Sequence, residues 1–135
     1  MNGRRPEPDV ALNRLAEAVI GAAMAVHSEL GAGFLEALYE RALCIELARR
    51  AIPFARQVTV PVLYKGTRIG DARIDVVVDQ RLLVELKATE GENPVHMAQV
   101  LSYLKTTGLP LGLLINFNVR SLRNGLKRVV RTEPQ

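Results

Sequence analysis

Arg73-Ile74-Asp75-Val76-Val77-Val78-Asp79-Gln80-Arg81-Leu82-Leu83-Val84-Glu85-Leu86-Lys87 places two β-branched and Leu-rich runs on either side of the turn-forming Asp79-Gln80-Arg81. Runs of this kind around a polar turn read as an antiparallel hairpin. Its strands should be apolar, yet Asp75, Glu85 and Lys87 interrupt them, and charges flanked by Val, Ile and Leu demand partners. Strand side chains alternate, so Glu85 and Lys87 share one face while Val84 and Leu86 take the other. The side of Asp75 depends on the turn. A two-residue loop at Asp79-Gln80 pairs 78 with 81 and sets Asp75 on the opposite face. A three-residue loop, or one bulge, pairs 78 with 82 and 75 with 85, making the two carboxylates cross-strand neighbours.

Working outward, Val58, Val60 and Val62 alternate through Thr59 and Pro61, which predicts a strand over about 56–64, at an edge because of its proline. Lys65-Gly66-Thr67 turns it into Arg68–Val78, and Leu82–Ala88 follows as the third strand of a meander. Upstream, Leu12, Leu15, Ala16, Val19, Ala22, Ala23 and Val26 repeat with helical spacing and predict a helix over about 11–29, capped by Asp9 or Asn13. Gly31-Ala32-Gly33 breaks it. A second helix is expected from Phe34 to about Arg50, with Leu35, Leu38, Ala42 and Ile45 as its apolar stripe. Downstream, Asn93-Pro94 opens a third helix that ends near Thr106 before Gly108 and Pro110. Leu111–Phe117, a short apolar run between turn signals, reads as a strand interior to the sheet. The order is ααβββαβ, an α/β domain covering 11–131, with 1–10 a disordered leader and 132–135 a tail.

With 135 residues, 48% of them hydrophobic and 24% charged, the chain has the make-up of one globular domain and no room for two. A single cysteine, Cys44, gives no internal disulfide and makes a reducing compartment, the cytoplasm, the default location. The longest strictly apolar or Gly runs, Ala18–Val26 and Leu111–Ile115, fall short of the ~20 residues that span a bilayer, so no membrane partner is expected. Eighteen Lys and Arg against fourteen Asp and Glu give a net charge of +4, which favours polyanions. With no Trp and only three Phe and three Tyr, contact with a nucleic-acid backbone is a better expectation than base stacking on aromatics.

Carboxylates at 75 and 85 held within about 5 Å of one another repel, and surrounding valines worsen the cost unless a cation sits between them. Mg²⁺ meets that demand, since it takes oxygen ligands, keeps several waters and uses one or two carboxylates plus phosphate oxygens. Lys87 alongside could orient a nucleophilic water or offset charge developing on phosphorus. That is the chemistry of phosphodiester hydrolysis. The plain alternative is a solvated hairpin face with a surface salt bridge.

Asp75 followed ten positions later by Glu85-Leu86-Lys87 on consecutive strands resembles the PD-(D/E)XK nuclease superfamily, with Ile74-Asp75 where the superfamily's name has Pro-Asp. Gly33-Phe34-Leu35-Glu36-Ala37-Leu38-Tyr39 is similar to the signature of its GxxExxY protein family, and further similar segments, such as Gln99–Leu104 and Gly112–Phe117, extend the likeness over roughly 11–131. The resemblance implies a restriction-endonuclease-like core with a mixed central sheet flanked by helices. It implies that Asp75, Glu85 and the helical Glu36 hold Mg²⁺ or Mn²⁺, that Lys87 stabilises charge, and that Gln99 and Tyr103, one turn apart on the third helix, line the catalytic site. The expected partner is nucleic acid, DNA first, with a homodimer left open because one subunit offers little surface for a duplex. The alternative is a catalytically idle module of the same fold that binds nucleic acid or a protein. His27 and His96 lack metal-ligand spacing and Cys44 reads as a small buried hydrophobe. The basic stripe Arg120, Arg123, Lys127, Arg128 and Arg131 could track phosphates.

Overall fold

A computed structural model describes residues 8–131. The leader, apart from Pro8, Asp9 and Val10, and the tail at 132–135 lie outside the described residues. Helix α1 (Val10–Leu30) starts where Asp9 accepts the Leu12 backbone N–H at 2.7 Å, so the cap falls on the first of the two candidates. Helix α2 (Glu36–Arg49), strands β1 (Phe54–Tyr64), β2 (Thr67–Val78) and β3 (Leu82–Lys87), helix α3 (Pro94–Thr107) and strand β4 (Leu111–Asn116) follow. A 3₁₀ turn, Leu122–Gly125, then leads into a last strand, β5 (Leu126–Val130). The order is therefore ααβββαβ plus this fifth strand.

The sheet runs β1-β2-β3-β4-β5 with all neighbours antiparallel except β3 and β4. It is a mixed sheet, and β1, the strand with Pro61, lies at its edge while β4 lies inside. The parallel β3–β4 step needs a crossover, and α3 supplies it. Helices α1 and α2 cover one face, packing Val19, Ala23, Leu43 and Leu47 on Val76, Val84, Leu86 and Leu113. Helix α3 covers the other, packing Val100 and Leu104 on Ile74, Leu83 and Leu114. Close approach there rests on Gly112, where a Cβ would stand 2.9 Å from Val100 Cγ1.

At 21 residues and a mean hydropathy of 1.2, α1 is long and apolar enough to cross a membrane by length and composition. The separate apolar runs understated it. Its stripe of Leu12, Ala16, Val19, Ala22, Ala23 and Val26 is nevertheless buried in the core.

Two sequence expectations are corrected. The face that α2 buries is Tyr39, Glu40, Leu43, Cys44 and Leu47, not the Leu35, Leu38, Ala42 and Ile45 stripe. Leu35 is 77% exposed, Leu38 49% and Ile45 52%. Apolar spacing favoured the aliphatic stripe, but Glu40 can be buried because Arg56 donates to its Oε2 at 2.9 and 3.1 Å and Gln57 to its Oε1 at 2.7 Å. The segment 119–131 is not a single basic stripe either. Arg120 precedes the 3₁₀ turn and Arg123 lies within it, beside Met24 and His27, whereas Lys127 pairs with Glu92 and Arg128 donates to Asn13.

A Cβ at Gly125 would lie 2.1 Å from the backbone oxygen of Asn116. Backbone cannot step aside as a side chain can, so Gly125→Ala is expected to lower stability by about 3 kcal/mol, the upper end for overpacked sites. Urea unfolding checks this, and an unchanged midpoint contradicts it.

Candidate active site

The hairpin register settles which face Asp75 takes. Arg81 N–H closes a turn on Val78 C=O at 3.0 Å, with Asp79 and Gln80 both at positive φ, 50° and 57°, as the tight hairpin turn requires. The ladder nevertheless pairs Val78 with Leu82, Val77 with Leu83 and Val76 with Val84. Arg81 is thus the extra residue that brings 75 opposite 85.

Beyond Val76 and Val84 the two strands stop pairing through backbone, and the carboxylates take over. Glu85 Oε2 accepts the Asp75 backbone N–H at 2.8 Å, and Asp75 Oδ2 accepts the Leu86 backbone N–H at 2.8 Å. Ile74 and Val77, three positions apart, both pack in the α3-side cluster, so the alternation of β2 slips once between them. The strand opposite is irregular at the same level, with Gln57 at φ 53°. The acids therefore occupy an opening in the sheet where backbone donors need acceptors.

The electrostatics follow from burial. Glu85 is 3% exposed, and its pKa is pushed up to about 8 from 4.5, first by desolvation and then by the charge of Asp75, with the Asp75 N–H and Lys87 opposing. Asp75 is also raised, by burial above all, against the hydrogen bond from Leu86. Glu36, at the start of α2, is raised by partial burial and by Asp75, with Lys87 opposing. The three acids thus share one site and feel each other's charge, and Lys87 offsets only part of it.

Lys87 is held from the far side. Its Nζ donates to Gln99 Oε1 at 3.0 Å, and Gln99 Nε2 donates to the Tyr103 hydroxyl at 3.0 Å. Burial and the nearby Glu85 raise the pKa of Tyr103 and keep it a neutral phenol. All six candidate residues, Glu36, Asp75, Glu85, Lys87, Gln99 and Tyr103, therefore fall in one connected constellation across α2, β2, β3 and α3.

The position of Glu36 is set by Tyr39. Its hydroxyl donates to Gly31 C=O at 2.6 Å and accepts from the Phe34 N–H at 3.1 Å, while its ring stacks on Phe117 with centroids 4.6 Å apart. The turn between α1 and α2 is pinned as a result, with Gly33 at φ 108°, a conformation that suits glycine.

Sequence reasoning missed Glu40, whose charge raises both Asp75 and Glu36. Its signal was the shared face with Glu36. The histidines stay apart from the acids: His27 Nε2 lies 2.8 Å from Val119 O, and His96, on α3, has its pKa lowered by burial and by Lys87. Cys44 is buried and free.

The donor set fits a hard divalent cation. It is all oxygen, its carboxyls are raised by burial and by neighbouring negative charge, and neither Asp75 Oδ1 nor Glu85 Oε1 accepts a hydrogen bond from a described residue. Among the described residues no three His, Cys, Asp or Glu side chains stand close enough to share one ion. Two carboxylates, with water completing the shell, are what the site offers.

A five-stranded mixed sheet with helices on both faces and acids at an opening between β2 and β3 is a restriction-endonuclease-like α/β domain. The chain belongs to the PD-(D/E)XK nuclease superfamily, whose family model matches residues 13–129. Nucleases of this superfamily generally use divalent metals and bind nucleic acid. No curated protein and no solved structure matches the chain.

Proposed function

We propose that this protein is a metal-dependent nuclease that hydrolyses phosphodiester bonds, of DNA in the first instance, and that it belongs to the GxxExxY branch through Gly33, Glu36 and Tyr39. The observation that carries the reading is the reciprocal bonding of Asp75 and Glu85 across the hairpin, which sets two acids side by side next to Lys87. Asp75 and Glu85 would hold Mg²⁺ or Mn²⁺; Glu36, which the resemblance made a third ligand, stands at their border and is not close enough to share the ion. When bound there, the ion would supply Lewis acidity and offset charge at the phosphate. Lys87 is an ammonium with three donors, one fixed on Gln99, which leaves two for the attacking water or a phosphate oxygen. Tyr103 holds Gln99, so the Lys87 amine does not swing freely. The domain at 11–131 works in the cytoplasm. Plasmid and oligonucleotide substrates incubated with Mg²⁺, Mn²⁺ or chelator test the reading. Cleavage that persists in chelator sinks it.

A catalytically idle module that binds nucleic acid or a protein is favoured by one observation: among the described residues only two carboxylates converge tightly. Salt-dependent binding to nucleic acid with no cleavage in either metal is its signature.

The exposed α2 stripe supports a homodimer. Leu35, Leu38, Ala42 and Ile45 repeat with 3-4-3 spacing, a narrow helical seam that a second copy can match across a two-fold axis. Leu35, Leu38 and Ile45 are all exposed, which leaves the large side chains of the seam open to such a partner. Leu35→Glu with Leu38→Glu is expected to halve the mass seen by light scattering. A wild-type protein that is already monomeric contradicts it.

A further inference from the structure

A cavity of about 310 Å³ opens beside Lys87. Its floor is the α3-side surface of three strands: Lys87 on β3, Leu114 and Asn116 on β4, and Lys127 on β5. Glu85 shares that face with Lys87, and neighbouring strands lie about 4.8 Å apart, so the cavity lies one to two strand spacings from the acids. Pro94, His96 and Met97 at the start of α3 form one wall, and Val119, Asn124 and Gly125 the other.

The lining is chemically specific. Pro94, Met97, Leu114 and Val119 give apolar walls. Asn116 is committed, bonding Thr89 through both amide atoms, and Lys127 is paired with Glu92. Of the described side chains lining it, the His96 ring and the Asn124 amide make no hydrogen bond to another described residue, and Asn93 is bonded through its Oδ1 alone. Each can both donate and accept, as the edge of a nucleobase requires. The volume is at the small end for ligand sites, enough for one compact unit.

We infer that this cavity receives a single unpaired nucleoside next to the phosphodiester engaged at Lys87, so that the substrate is single-stranded or a strand end rather than continuous duplex. This rests on the nuclease reading above. A base stacked inside a duplex cannot enter such a cavity without being turned out of the helix, at a cost of a few kcal/mol that an unpaired nucleotide does not bear.

The test uses a fluorescent twelve-nucleotide DNA strand, alone and annealed to its complement, with the full chain carrying Asp75→Asn so that nothing is cut. The single strand should bind about tenfold tighter than the duplex. Asn124→Trp, at an exposed wall position, should fill the mouth and erase that difference while duplex binding stays put, and His96→Trp should act likewise. Equal binding of both strands, no binding of either, or a preference untouched by both tryptophans overturns the inference. Single-strand preference without metal-dependent cleavage by the unsubstituted chain would instead sink the nuclease reading and leave the cavity's role standing.

Discussion

Asp75→Asn and Glu85→Gln are each expected to lower metal-dependent cleavage by about a thousandfold or more, and Lys87→Ala by about 100- to 1000-fold, with the fold intact. Removing one preorganised charge from a phosphoryl-transfer site costs roughly 10²–10³ in rate, and a lost carboxylate weakens the cation as well. Lys87→Ala separates chemistry from metal binding, because the lysine is not a ligand: Mn²⁺ affinity should hold or improve while turnover falls. Gln99→Leu should cost less, about 10- to 100-fold, since it acts by misplacing the Lys87 amine. Single-turnover cleavage with saturating Mn²⁺ measures all four. Activity that survives both Asp75→Asn and Lys87→Ala would come from another site and would end the assignment.

The second large effect is on stability. Glu85 titrates near 8 in the folded chain, against an ordinary 4.5. Between those values the folded state binds a proton that the unfolded chain has lost, so stability falls with rising pH. The contribution is complete below about pH 4.5 and is lost as pH rises through about 8. The raised Asp75 acts in the same direction. The slope approaches about 1.4 kcal/mol per pH unit for each proton. Metal-free protein should therefore melt at a lower temperature at pH 8 than at pH 5.5, and Glu85→Gln should flatten most of that dependence. Mg²⁺ favours the charged carboxylates, so its addition should raise the melting temperature more at pH 8 than at pH 5.5. A wild-type curve flat across this window, or equal Mg²⁺ shifts at both values, contradicts the electrostatic picture.

Local chemistry made much of this legible in the sequence. Pro61 marked the edge strand, Asp9 the first cap, and the purely apolar Leu111–Ile115 an interior strand. The hairpin could be read to within one residue of register, and only the bulge at Arg81 was needed to bring the acids together. The missed features depend on contacts distant in sequence. The burial of Glu40 requires Arg56 and Gln57 from another element, so a periodicity count on α2 alone selected the wrong face. Strand β5 is five residues long, carries Lys127 and Arg128 in its middle, and exists because β4 offers it an edge. Gln99 and Tyr103 were visible as a helical pair, but their bond to Lys87 required α3 to be folded onto β3.

Tyr39 has an architectural task. Its hydroxyl clamps the Gly31–Phe34 turn and its ring rests on Phe117 just after β4, so it joins the entrance of α2 to the end of an interior strand without touching a reacting group. Descendants that lost their acids would still need this weld to fold. A tyrosine at that place in a related chain therefore testifies to inherited architecture, and chemical competence has to be judged from the carboxylates alone.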